Sequence, residues 1–303
     1  MPVTSEIYRT RELIPLIIPE GGVNWFSSSS QIPDWTPPKG VVPGSPEHMV
    51  FFTLSFSLYR NCNDSVIFDL SREAYEDEKT RQIFSLESLQ SEPVSIIMDD
   101  LNQAGLCVKR RRDAENWRSI GISLLQKWGA DPVNFIRSCD GNVPLILERM
   151  RSDPYSELID FPQIIGDKRA PKWLHMIRDS GGYDGFFGFE KIPMMADIHI
   201  TRASIALGVV HGRYSGQLSP ITQKVLDTWY EAEAATPKSS SVGLYEVSEF
   251  LHQLSKNGCI LRDGKRTQCP RSSECLLKDY CVPGMYAIEN KGILMDTHTD
   301  TGE

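Results

Sequence analysis

FPQIIGDKRAPKWLHMIRDSGGYDGFFGFEKIPMMADIHITRASIALG, residues 161–208, is the stretch on which the fold turns. A helix is expected to end near Phe161. Pro162–Gly166 then makes a hairpin turn, and a second helix starts at Asp167, with Ala170, Trp173, Leu174 and Ile177 along one face. A loop rich in Gly and aromatic residues, Asp179–Glu190, leads to a third helix opened by Asp197 and closed at Gly208. The layout places one amine, Lys168, and one carboxylate, Asp197, at the N-termini of two helices.

Working outward, the chain reads as helices joined by short breaks. The run MVFFTLSFSLYRN from Met49 is more than ten residues of nearly continuous apolar character, which favours a buried helix over a strand. Residues 71–79 are charged and expected to be exposed. Pro93–Ala104 is expected to be helical, with Ser91 as N-cap and Gly105 just past its end. Ala114, Trp117, Ile120, Leu124 and Trp128 recur at helical spacing and predict a helix over 113–128, with Lys109, Arg110, Arg111 and Arg112 just before it. Two short helices are expected over 132–138 and 143–152. Ser219-Pro220 opens another that runs to about Ala235, and Leu244, Val247, Leu251 and Leu254 define a last one stopped by Asn257-Gly258. Almost no alternating apolar pattern occurs, so the predicted class is all-α. Residues 1–47, with Pro, Gly and Ser throughout, are expected to be an extended arm pinned to its own domain by Trp25, Phe26 and Trp35.

The 303 residues suffice for one large domain or two ordinary ones. No run of 18 apolar residues occurs, so no membrane span is expected, and Glu6 and Glu12 interrupt the start where a secretory signal would be apolar. The expected home is the cytoplasm. The net charge of −8 argues against coating nucleic acid by bulk charge but leaves a local basic face possible, because phosphate contacts act within a Debye length of about 10 Å.

Four of the seven cysteines, Cys259, Cys269, Cys275 and Cys281, fall within 23 residues, spaced Cys-x9-Cys-x5-Cys-x5-Cys. In a reducing compartment such a cluster reads as a set of metal ligands. Zinc sites favour paired Cys-x2-Cys knuckles, which are missing here, whereas wide intervals suit a [4Fe–4S] cluster. Zinc stays open as the alternative. Between 256 and 281, six cations (Lys256, Arg262, Lys265, Arg266, Arg271, Lys278) stand against Asp263, Glu274 and Asp279. The segment is therefore either a basic loop for phosphate or a plain structural staple.

A turn that ends on a helix N-terminus presents backbone N–H groups that suit a phosphate. Lys168 in the first turn meets the unfavourable end of the helix dipole, and a lysine kept neutral can attack a sugar C1′ to form a Schiff base. Taken alone, Lys168 reads as a solvated surface charge and Asp197 as a plain N-cap.

Gly166-Asp167-Lys168-Arg169-Ala170, then an apolar helix, then Asp197-Ile198-His199-Ile200-Thr201-Arg202, resembles the helix-hairpin-helix DNA glycosylases of the endonuclease III type. Gly105-Leu106 with Ala114-Glu115-Asn116-Trp117 resembles a helix start of that family. Cys275-Leu276-Leu277-Lys278-Asp279-Tyr280-Cys281 resembles the end of its iron–sulfur loop. The likeness runs, with gaps, over about 105–281. The hairpin departs from the family in having one glycine, and the separation of 29 positions from Lys168 to Asp197 exceeds the endonuclease III spacing, as in the archaeal 8-oxoguanine glycosylases.

The resemblance implies two helical subdomains with a catalytic cleft between them: an arm (1–47), a subdomain carrying the hairpin (48–186), a subdomain carrying the catalytic aspartate and cysteine loop (187–281), and a tail (282–303). It implies excision of a modified base from double-stranded DNA by a monomer, with Lys168 as nucleophile, Asp197 as catalytic carboxylate and an associated AP lyase step. A monofunctional glycosylase and a non-catalytic DNA-binding module are the alternatives. DNA contacts would come from Gln163, Ile165 and Gly166 of the hairpin, from Lys109, Arg110, Arg111 and Arg112, and from His199 and Arg202. Cys259, Cys269, Cys275 and Cys281 would hold the cluster. The insert bearing Tyr183, Phe186, Phe187 and Phe189 is expected to be either a flap over the flipped base or a packed surface loop.

Overall fold

The computed structural model describes residues 2–17, 36–58, 64–106, 109–151, 160–236, 243–264 and 269–299. The chain divides into two compact units, Gln31–Phe189 and the pair Met1–Ser30 with Glu190–Glu303. Among the described residues it is mostly helical, with twelve α-helices and one four-stranded antiparallel sheet.

The unit Gln31–Phe189 is built on α2, Pro46–Ser57. Its sequence has no polar face, so the helix can be stable only if surrounded, and His48 through Ser57 are all buried. Ser45 caps it, its Oγ accepting from the His48 N–H, and Pro46 supplies a pre-set first turn. The hydroxyls inside this apolar shell find partners: Ser55 donates to the Phe51 carbonyl (2.8 Å) and Trp173 Nε1 donates to Thr53 Oγ1 (3.2 Å).

Around α2 lie α3 (Asp64–Glu76), α4 (Leu86–Ser91), α5 (Val94–Gln103), α6 (Arg110–Lys127), α7 (Pro132–Arg137), α8 (Val143–Arg151) and α9 (Arg169–Asp179). Trp117 of α6 and Trp173 of α9 are fully buried. Truncating such a residue to Ala costs roughly 3–5 kcal/mol.

Three local expectations are corrected here. Residues 71–76 belong to α3 and bury Ser71, Ala74 and Tyr75, because the charges flank an apolar stripe. Ser91 ends α4, its hydroxyl donating to the Glu87 carbonyl (2.9 Å), while Pro93 occupies the cap position of α5. And α6 starts at Arg110, so Arg110, Arg111 and Arg112 form its first turn rather than precede it. The buried Asp113 stabilises that turn by accepting from the Lys109 N–H (2.8 Å).

The second unit gathers α1 (Ile7–Ile17), α10 (Ile198–Ala206), α11 (Leu218–Ala234) and α12 (Leu244–Asn257) around Leu13, Ile205, Trp229, Val247 and Leu251. Trp229 Nε1 donates to Ser204 Oγ (3.0 Å), which locks α11 onto α10. The expected irregular arm is thus a helix over 7–17, with Leu13, Ile14 and Ile17 in this core. The rest of it, 18–35 with Trp25, Phe26 and Trp35, lies outside the described residues.

The sheet has the order β1-β2-β4-β3, from Thr4–Ser5, Val210–Gln217, Gly292–Thr297 and Gly284–Glu289. The pattern reading did not anticipate it. Residues 284–297, expected to belong to the tail (282–303), form a hairpin turned by Asn290 and Lys291, both at positive φ, the geometry a two-residue loop needs. Gly212, Gly216 and Ser215 dilute the alternation in β2, and its partner strand β4 lies some 80 residues away, so no local hairpin signal exists.

Candidate functional site

The turn before α9 is held from below. Phe161 and Ile164 are buried, and the Phe161 carbonyl accepts from both Ile164 N–H (3.1 Å) and Ile165 N–H (3.3 Å). Gln163 sits at φ +69° and Gly166 at φ +151°; the second value favours glycine, and the space where a Cβ would stand is open. Gln163, Ile165 and Gly166 are half-buried.

The helix after the turn starts at Arg169, two residues later than expected, because Asp167 turns outward to pair with Arg151. Arg169 is spent on the fold: its Nη2 donates to the Phe56 and Ser57 carbonyls (both 3.1 Å) and its Nη1 to Gln163 Oε1 (3.3 Å). Lys168 occupies the N-cap position of α9 and is exposed. The helix expected to end near Phe161 falls on residues 152–159, outside the described set.

Lys109, Arg110, Arg111 and Arg112 are all exposed at the start of α6, with Arg111 Nε 2.8 Å from Glu115. The 179–190 insert is fastened to its own unit. Phe187 N–H donates to the Gly141 carbonyl and Val143 N–H to the Phe187 carbonyl, both at 3.0 Å. Tyr183–Phe186 and Phe186–Phe189 rings stand edge to face at 4.9 and 5.3 Å, and Arg178 lies over Phe189. This is the packed loop of the two expected possibilities, with Phe187 itself 52% exposed.

Asp197 is the N-cap of α10. Its Oδ1 accepts from the N–H groups of His199 (2.8 Å) and Ile200 (3.1 Å). Its Oδ2 faces His252 Nδ1 of α12 at 3.5 Å. The rings of His199 and His252 are 4.6 Å apart, and His199 Nδ1 lies 3.3 Å from Ser255 Oγ. Burial, and then the neighbouring His252, hold His199 down at about 4, so it is a neutral imidazole near pH 7. His199, expected among the DNA contacts, is thus half-buried and engaged within its own unit.

Arg202, expected to face DNA, is 4% exposed. Its Nε donates to Asp263 Oδ2 (2.7 Å), and Asp263 Oδ1 accepts from Ile288 N–H (3.0 Å). The pair ties α10 to β3 and to the turn that follows Cys259, so Arg202 serves the fold and cannot reach a phosphate.

Cys259, Cys269, Cys275 and Cys281 line a single cavity, walled by Ala206 and Leu207 at the end of α10, Leu254 of α12, Tyr286 of β3, and Arg262. None of them is in a disulfide. Arg9 of α1 braces the rim, donating to the carbonyls of Leu207 (2.9 Å) and Tyr280 (2.6 Å). Burial raises the Cys259 thiol well above its usual range, the other three cysteines adding to the effect. Burial and then Cys275 push Cys281 up to about 11. Buried thiols such as Cys259, Cys275 and Cys281 resist ionising unless a metal centre supplies positive charge. The donor set, all sulfur, and the enclosed cavity fit a [4Fe–4S] centre as well as they fit zinc. The basic loop around the cysteines is thinner than its composition suggests. Arg262 is buried, Arg271 pairs with Glu274 (2.6 Å), Lys256 and Lys278 are exposed, and Lys265 and Arg266 lie outside the described residues.

Sequence reasoning passed over His252 and Ser255, and counted Arg262 and Asp263 only in the charge of the cysteine segment. Only Arg262 had a local signal, its place three residues after Cys259. His252 and Ser255 acquire meaning only when α12 packs on α10. No helix among the described residues is long and apolar enough to cross a membrane. No protein-family model matches the chain, and no curated protein matches it.

Proposed function

We propose that this chain is a DNA base-excision glycosylase with an associated AP lyase step and a [4Fe–4S] centre on Cys259, Cys269, Cys275 and Cys281. The observation that carries the reading is the construction of α10. One end of this helix is capped by Asp197, whose second oxygen faces His252 (3.5 Å), and its other end, at Ala206 and Leu207, walls the four-cysteine cavity. An isolated N-cap needs no such neighbour, and a structural cysteine site needs no carboxylate. The exposed Lys168 at the mouth of α9, after a turn opened by Gly166, adds the amine that the chemistry requires.

In the proposed reaction the target nucleotide is flipped out of the duplex at a cost of a few kcal/mol. Lys109, Arg110, Arg111 and Arg112 and the turn at Gln163–Gly166 hold phosphates. Asp197 stabilises the positive charge that develops on the sugar as the C1′–N bond breaks, the bond's electron pair leaving on the base. The Lys168 amine attacks C1′ and gives up a proton, and the C1′–O4′ bond then opens with its electron pair and a proton going to O4′, which leaves an imine. Loss of the 2′ proton with expulsion of the 3′ phosphate then nicks the strand. The metal centre supplies structural support to the loop when bound, and base removal takes no electron from it.

The test is a panel of duplex oligonucleotides carrying different modified bases, scored for base release and nicking, with borohydride present to trap the imine. Wild-type protein should release at least one base and form a covalent adduct that Lys168→Gln abolishes. Base release without an adduct would assign the attack to water, and release from none of the panel would defeat the reading.

A further inference from the structure

Arg262 has one donor that the fold leaves unused. The residue closes the turn Cys259–Arg262 and is 5% exposed. Its Nη2 donates to the carbonyls of Val282 (2.5 Å) and Gly284 (2.9 Å), and its guanidinium lies over the Tyr286 ring at 5.5 Å. These contacts fix the side chain in place. Its Nε–H, however, is buried with no hydrogen-bond partner among the described residues. A buried donor on a cation is costly to leave unmade, so such an atom marks a missing acceptor.

What surrounds the atom identifies that acceptor. Arg262 lines the same cavity as the four cysteines. Its charge acts on Cys259 and Cys281, opposing the effect of burial on both thiols. Among the described residues no carboxylate lines the cavity. The described residues that line it offer the Ser272 and Tyr286 hydroxyls, backbone carbonyls and the cysteine sulfurs, and of these only sulfur belongs to an anionic group, the acceptor a cation's N–H favours. Arg202, the other buried arginine nearby, is committed through its own Nε to Asp263 and does not line the cavity.

We infer that Arg262 donates its Nε–H to a sulfur of the anionic centre held by the four cysteines and thereby sets the reduction potential of that centre. The inference rests on the iron–sulfur part of the proposed function and is independent of base excision. Hydrogen bonds to the sulfurs and nearby charge are the levers by which a protein tunes such a centre. Reduction adds one negative charge, and a fixed cation with its donor aimed at the sulfurs favours the more negative state. Loss of Arg262 should make reduction harder.

The experiment uses full-length protein loaded anaerobically with ferrous iron and sulfide. At fixed potential the reduced-to-oxidised ratio, read by EPR, should fall about tenfold in Arg262→Met, equivalent to about 59 mV for a one-electron couple. Arg262→Lys, which keeps a charge, should shift less. A purely structural role is separated by labelling arginine Nε with 15N. Pulsed EPR of the reduced wild-type centre should show a nitrogen coupling that vanishes in Arg262→Lys, and the wild-type measurement decides even if variants fold poorly. An iron-loaded protein with no such coupling and an unmoved potential overturns the inference alone. A protein that takes up zinc and no iron overturns both the inference and the cluster.

Discussion

His252 Nδ1 stands 3.5 Å from Asp197 Oδ2. Two helices far apart in sequence therefore meet at one carboxylate, whose Oδ1 is already spent on the N–H groups of His199 and Ile200. One oxygen of Asp197 caps the helix and the other faces His252, and substitutions can separate the two roles.

Asp197→Asn keeps an amide oxygen for the cap, so unfolding free energy should change by less than about 0.5 kcal/mol. Asp197→Ala removes the cap and should cost about 1 kcal/mol. Both should lose base release at least about a hundredfold in single-turnover assays, as expected for a lost electrostatic stabiliser. Equal loss of stability in the two variants, or wild-type base release in Asp197→Asn, would show that the residue is only a cap.

Stability should fall on the acid side, with a sign set by two histidines. Burial, with His252, holds His199 at about 4, and burial, with Arg178, holds His175 at about 3. Both values lie below the usual 6.5, so the unfolded chain binds protons first as pH drops. The stabilisation is complete above about pH 6.5 and is lost as pH falls toward these values. Urea unfolding at pH 7 and pH 4.5 should show a smaller difference in His199→Gln and in His175→Gln than in the wild type.

Gly141 is where the aromatic insert is fastened. It has φ +72°, and a Cβ there would fall 1.9 Å from the Gly185 carbonyl oxygen. Gly141→Ala should therefore cost about 1–3 kcal/mol by overpacking and speed amide exchange at Phe187 and Val143. An unchanged exchange rate would mean that the insert is held elsewhere.

Removing one ligand should unmake the cysteine centre. Cys259→Ser in anaerobically purified protein should lose most of its iron and its brown absorbance, and its melting temperature should drop as a chelator lowers that of the wild type. Wild-type iron content in this variant would remove Cys259 from the ligand set.

Much of this architecture was legible along the chain because it is written at short range. The unbroken apolar run of α2 says that it is buried all round, the 3.6-residue spacing of Trp117, Ile120 and Leu124 draws α6, and Asp197 and Gly208 bracket α10. The four cysteines declared a shared site by spacing alone, and they do line one cavity. Reading failed where a residue's partner is remote. Arg262 looks like a surface cation in a basic stretch and Arg202 like a DNA contact, yet Asp263 takes Arg202 and the Val282 and Gly284 carbonyls take Arg262, and both are buried. Strand β2 is too polar and glycine-rich to announce itself, and exists because β1 and β4 close against its edges.

The sequence by itself determined the helical class, the apolar faces and the chemical inventory: an amine and a carboxylate near two helix starts, and four thiols in one loop. These depend on periodicity, capping and spacing, which act over a few residues. Only the tertiary structure decided which charges are spent inside the fold, that His252 faces Asp197, that the Tyr183 and Phe186 rings pack edge to face, and that Arg262 lines the cysteine cavity with its Nε buried and unpaired among the described residues. The cost of burying a charge or leaving a donor unpaired depends on what packs against it from elsewhere in the chain, and no local pattern encodes that neighbour.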